Sequence, residues 1–95
     1  MKNVEEMFTG KGYLVIEKST KWGVFGGDYL FKHPNKELYI FAIYDDKEIR
    51  FYLRVDSSKF EFYFDYPSDC FDESIFEKNF IGDLFDRIVY NRFGA

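Results

Sequence analysis

The sequence predicts an α+β fold: an antiparallel β-meander of four to five strands packed against a C-terminal helix, with a short N-terminal helix. Three observations carry this. Apolar and polar residues alternate with period two from Ile49 to Val55 and from Phe60 to Tyr66, the pattern of strands with one buried face. Short polar turns separate the strand-like runs, which gives a meander. After Pro67 the apolar spacing changes to four, with Phe76, Phe80, Leu84 and Ile88 in register and Ile81, Phe85 and Val89 beside them, so a helix follows and buries a broad face.

In chain order, Asn3 is placed to cap a first helix, with Glu6 at the capping-box position and Val4, Met7 and Phe8 as its apolar stripe. Gly10 or Gly12 ends it. Tyr13 to Glu17 reads as a strand and Ser19-Thr20-Lys21 as a turn. From Trp22 to Asp28, glycines interrupt a strand-like pattern and point to a bulge, a bend or a close backbone approach. Tyr29 to His33 resumes the strand pattern, and Pro34-Asn35 turns the chain. Glu37 to Tyr44, Glu48 to Val55 and Lys59 to Tyr66 are the three clearest strands.

Charge sets the register of the last hairpin. With Ser57-Ser58 as a two-residue loop, Arg54 faces Glu61, Tyr52 faces Tyr63 and Arg50 faces Asp65 on the outer face. Val55, Leu53 and Phe51 then meet Phe60, Phe62 and Phe64 on the inner face. Phe62 is accordingly expected deep in the core. Across Asp46-Lys47, the same logic pairs Phe41 with Tyr52 and Tyr39 with Arg54. Ser74 and Glu77 form a capping box for the C-terminal helix, Gly82-Asp83 is a candidate break with Asp83 as a second cap, and Gly94 is a stop.

A chain of 95 residues with 46% hydrophobic and 32% charged side chains corresponds to a single domain spanning residues 1–95. Thirteen Phe and eight Tyr mean that much of the core is aromatic, and they exclude a disordered chain. Cys70 stands alone, so no intrachain disulfide forms. The polar start has no secretory h-region, and no apolar run is long enough to span a bilayer, which together predict a cytoplasmic protein without a membrane role.

No segment carries a catalytic or cofactor motif. His33 and Cys70 are isolated members of residue types that act in groups. Asp69, Asp72 and Glu73 lack the ligand number and glycine bend of a calcium loop, and one His with one Cys does not make a zinc site. The Gly23–Gly27 stretch lacks the Lys-Ser or Lys-Thr of a P-loop. No catalytic residue, cofactor or metal is therefore assigned.

The charge distribution is more informative. Residues 1–60 hold ten basic and nine acidic side chains, whereas residues 61–95 hold three and eight. An acidic patch suits a basic protein partner, such as a nucleic-acid-binding protein, and disfavours direct nucleic-acid binding. The expected contacts are Asp65, Asp69, Asp72, Glu73 and Glu77, with Tyr52 and Tyr63 as ring anchors on the outer sheet face. The expected function is a non-catalytic protein-binding module: a small acidic inhibitor that occludes a basic surface. By analogy of kind alone, phage anti-defence proteins (anti-CRISPR proteins among them) and toxin-immunity proteins share this character. The alternative is single-stranded nucleic-acid binding through the aromatic outer face, which also presents Tyr39, Phe41, Ile43, Arg50 and Arg54. Neither a protein contact nor a nucleic acid uses this face if the N-terminal helix or the Trp22 loop covers it. A hydrolase using the acidic loop ranks last.

Overall fold

The computed structural model describes residues 3–19 and 26–94. Five antiparallel strands follow one another in spatial order as in sequence: β1 (Leu14–Ser19), β2 (Gly27–Lys32), β3 (Leu38–Tyr44), β4 (Glu48–Val55) and β5 (Glu61–Pro67). Helix α1 (Val4–Thr9) precedes the sheet. A 3-10 turn (Ser68–Cys70), helices α2 (Glu73–Phe80) and α3 (Gly82–Ile88), and a π-helical turn (Val89–Gly94) follow it. None of the described helices is long and apolar enough to cross a membrane.

Helix α1 starts as its sequence dictates. The Asn3 side chain accepts a hydrogen bond from the Glu6 amide and donates one to the Glu6 carboxylate, while Val4, Met7 and Phe8 are buried. Phe8 is the hub of an aromatic core. It stacks on Phe31 of β2 at 4.2 Å between centroids and meets Phe76 and Phe80 of α2 edge-on at 4.8 and 5.0 Å. Phe80 reaches Phe51 of β4 at 4.7 Å. Each such ring pair contributes about 0.5–1.5 kcal/mol beyond its buried area. These contacts place α1, α2 and α3 on one face of the sheet, the face of Phe31, Ile40, Phe51 and Leu53.

The helical layer departs from the expected spacing. Asp72, not Ser74, caps α2, and its carboxylate accepts from the Ile75 amide. The break falls at Ile81, whose backbone is extended, and at Gly82, whose φ of +91° favours glycine. That interruption shifts the helical phase by one residue. Phe85, Val89 and Phe93 continue the buried stripe, whereas Leu84 turns outward and is 54% exposed. Asp83 makes no capping bond, because α3 begins from Ile81 with no side-chain cap. Two buried phenols satisfy carbonyls at the end of α2 that its own turns leave open: Tyr13 donates to the Phe80 carbonyl and Tyr63 to that of Asn79.

The β3–β4 register is as expected, with Phe41 opposite Tyr52 and Tyr39 opposite Arg54. The β4–β5 register is half right. Arg50 faces Asp65 and Phe51 faces Phe64, but a bulge follows, so Tyr52 faces Phe62 and Leu53 faces Glu61. The connection runs from Asp56 to Phe60 and is longer than a Ser57-Ser58 loop. Asp56 takes a left-handed φ of 55°, and Ser58 closes the turn through hydrogen bonds to both backbone groups of Val55. The bulge at Tyr63 absorbs the difference. Its effect on the side chains corrects two expectations: Phe62 is 47% exposed on the outer face, and Tyr63 is 6% exposed in the core. Glu61 no longer faces Arg54.

The Trp22–Phe25 part of the glycine-interrupted stretch lies outside the described residues. Gly27 does mark a close approach, since a Cβ there would sit 2.4 Å from the Ser19 carbonyl oxygen across the β1–β2 pair.

Candidate interaction face

The outer face of the sheet carries no described helix, and α1 lies on the opposite side. The strand registers arrange it in three rows. Across one end run Leu14, Lys32, Tyr39 and Arg54. Across the middle run Glu17, Leu30, Phe41, Tyr52 and Phe62. Across the other end run Ser19, Asp28, Ile43, Arg50 and Asp65. Ile16, the extra residue of a second bulge in β1, and Phe60, just before β5, are exposed as well. An apolar band thus crosses the sheet between two polar rows. The bulge at Tyr63 enlarges the band, because it accompanies the outward placement of both Phe60 and Phe62.

The rings in this band contact one another. Phe41 lies 6.2 Å from Tyr52 and 6.3 Å from Phe60, at interplanar angles of 45° and 62°. Tyr52 meets Phe62 at 5.8 Å and 75°. Tilted and edge-on rings form a continuous apolar surface rather than a set of parallel plates. Charges frame it. Lys32 pairs with Glu37 at 3.7 Å, and Arg50 pairs with Glu48 and stands opposite Asp65. The hydrogen bond that Arg50 donates to Glu48 holds its guanidinium pKa above the ordinary value. Asp45, at the β3–β4 turn, accepts the backbone amides of Glu48 and Lys47, which hold its carboxyl below the usual carboxylate range.

The seven residues expected to contact a partner do not form one surface. Tyr52 and Asp65 lie on the outer face. Tyr63 is buried against Phe80, Phe85 and Phe93, and burial pushes its phenol up to about 12, so it remains a neutral donor. Asp69 is in the 3-10 turn, Asp72 caps α2, and Glu73 and Glu77 are exposed on α2. Glu77 pairs with Lys11 at 3.5 Å across a cleft of roughly 320 Å³ between α1 and α2, which Glu6 and Glu73 also line. The acids therefore belong mostly to the helical side, and of the two rings only Tyr52 is on the other.

His33 and Cys70 are not brought together. His33 follows β2 at the end of the sheet marked by Lys32 and Tyr39, whereas Cys70 follows β5 at the opposite end, where Ser68 bonds the Lys47 carbonyl. The imidazole lies edge-on to Tyr13 at 5.3 Å, and its Nδ1 accepts the Asn35 amide, as a turn residue would. Cys70 is exposed. Among the described residues, no group of three or more His, Cys, Asp and Glu side chains is placed to hold a metal ion. Phe60 and Phe62 were missed as surface residues because their unbroken alternation with polar neighbours gives no sign of the bulge. Comparison with protein-family models, curated proteins and solved structures finds no match to this chain.

Proposed function

We propose that this chain is a non-catalytic protein-binding module whose interface is the outer face of its sheet. The observation that carries this reading is the band of Phe41, Tyr52, Phe60 and Phe62, which no described helix covers. Rings and arginine are enriched where proteins meet, and apolar rings beneath a partner supply the anchors of such contacts. The edge-on ring geometry and the carboxylates of Glu17, Asp28 and Asp65 around the band favour a protein over a single-stranded nucleic acid, which needs open ring faces and a cationic track. The net charge of −4 and the exposed acids of the helical side steer a partner of net basic charge. A small acidic domain acting in the cytoplasm in this way serves as a stoichiometric inhibitor, of the phage anti-defence or toxin-immunity kind, by covering a surface of its target.

Affinity capture from a nuclease-treated lysate of the source cells, followed by binding kinetics, tests the reading. Wild type is expected to retain its partner, and Phe62→Lys to lose it through faster dissociation. Asp69→Lys combined with Glu73→Lys is expected to slow association and flatten its salt dependence while leaving dissociation unchanged. A partner held equally well by Phe62→Lys removes the outer face from the mechanism. A partner released by nuclease returns the reading to nucleic acid.

A further inference from the structure

The outer face holds one cation that differs from its neighbours. Lys32 and Arg50 each have a carboxylate partner, Glu37 and Glu48. Arg54 makes no ion pair among the described residues, because the β4–β5 bulge sets Glu61 opposite Leu53. Rings surround it instead. Its guanidinium carbon lies 4.4 Å from the centroid of Tyr39, directly across the β3–β4 pair, and 5.2 Å from that of Phe60. Its Nε is buried and has no hydrogen-bond acceptor.

This arrangement has a chemical direction. Contacts with two rings restrict the side chain before any ligand arrives, so less conformational freedom is lost on binding. A guanidinium donates only in its own plane, through a rigid fork that matches a carboxylate. A buried donor without an acceptor is under-satisfied, and an arriving anion compensates the charge of the whole guanidinium. The apolar band begins beside Arg54, at Phe41 and Phe60. One unpaired guanidinium beside an apolar band suits a single carboxylate flanked by apolar side chains, whereas a chain of phosphates needs several clustered cations.

We propose that Arg54 is the anchor of the interface and binds the carboxylate of an Asp or Glu side chain on the protein partner, whose adjacent apolar residues rest on Phe41, Phe60 and Phe62. This rests on the reading of the outer face as a protein interface. It adds a local requirement to the long-range one: a partner of net basic charge that presents one acid at the contact.

Panning a random peptide display library on the immobilised full chain tests both levels. The selected peptides are expected to share one Asp or Glu beside two or more aliphatic or aromatic residues. Replacing that Glu by Gln in the best synthetic peptide should weaken binding about tenfold, the loss expected for one charge-assisted contact. Arg54→Lys should weaken the parent peptide similarly, and the two changes together should be less than additive. The peptide substitution leaves the protein untouched, so it reads the contact even where Arg54→Lys perturbs folding. Peptides that lack an acid and bind Arg54→Lys unchanged, yet fail on Phe62→Lys, overturn the role of Arg54 and leave the face standing. Peptides indifferent to Phe62→Lys, or none selected, remove the face and the anchor together. An Arg54-dependent affinity for a thymidine oligonucleotide, with none for acidic peptides, replaces the carboxylate by phosphate and overturns the proposal.

Discussion

The two faces of this sheet are built from the same kinds of side chain and end in different states. Inside, Phe31, Phe51 and Tyr63 meet the rings of Phe8, Phe80 and Phe85, and every one of them is buried. Outside, Phe41, Tyr52, Phe60 and Phe62 meet one another and Arg54, and no described helix packs on them. Ring content alone does not distinguish them. What does is the presence of α1, α2 and α3 on one side, which supply Phe8, Phe76, Phe80 and Phe85. An aromatic strand face is therefore half of a core, and its fate depends on whether the chain provides the other half. Here the sequence has one set of helical rings for two aromatic faces.

This contrast makes a graded set of predictions. The largest effect belongs to the inner face. Phe80→Ala removes a ring packed against Phe8, Phe51, Tyr63 and Phe85 and should cost about 3–5 kcal/mol. Phe62→Ala, on the outer face, should change stability by only about 0.5 kcal/mol. Urea unfolding of both variants measures the difference, and equal losses would erase the distinction between the faces.

An intermediate effect comes from Tyr63, the residue that the bulge turns inward. Tyr63→Phe keeps the ring and removes the donor to the Asn79 carbonyl, a bond of 2.6 Å. Leaving a partly buried carbonyl unpaired should cost about 1 kcal/mol by the same assay. If Tyr63 instead lay on the outer face, the substitution would have no effect on unfolding.

The smallest effect is one of pH. His33, against Tyr13 on the helical side, has a pKa lowered below its ordinary 6.5 by burial and then by the Lys36 ammonium, with Lys32 adding to the effect and Asp86 opposing it. The folded state therefore takes up this proton less readily than the unfolded chain. Stability is unaffected by His33 above the unfolded pKa and falls as pH drops through that value toward the lower folded one. His33→Gln should flatten that part of the stability profile, as followed by thermal unfolding at a series of pH values. An unchanged slope would mean that His33 is as solvated in the fold as in the open chain.

Most of the architecture was legible because period-two runs and polar turns are local signals. The β3–β4 register followed from Asp46-Lys47, and the first helix from Asn3 and its Val4, Met7, Phe8 stripe. The departures share a cause: a one-residue offset that leaves the surrounding pattern intact. Phe60, Phe62, Phe64 and Tyr66 alternate without interruption, so the left-handed Asp56 and the bulge at Tyr63 are invisible to periodicity. In the helices, Leu84 and Ile88 fit the spacing of Phe76 and Phe80 as well as Phe85 and Val89 do, and only the extended Ile81 with Gly82 decides between them. A tyrosine among phenylalanines was the one hint at Tyr63, since its hydroxyl suits a buried position only where an acceptor waits. For the candidate site, the rings of Tyr39, Phe41 and Tyr52 are readable from strand alternation, but proximity in sequence does not place Asp65 with Asp69, Asp72, Glu73 and Glu77, which the fold divides between sheet and helices.

Both irregularities fall on the strands that border the sheet among the described residues. The register shifts between Val15 and Glu17 in β1, and opposite Phe51 and Tyr52 in β5, while the β2–β3 and β3–β4 ladders are continuous. A strand that borders the sheet offers unpaired amides and carbonyls to any extended chain, and a bulge twists that row out of line. The same extra residues that shape the outer face thus guard its margins against the addition of further strands. Bulged borders of this kind work against the open-ended polymerisation to which flat, ring-rich sheets are prone.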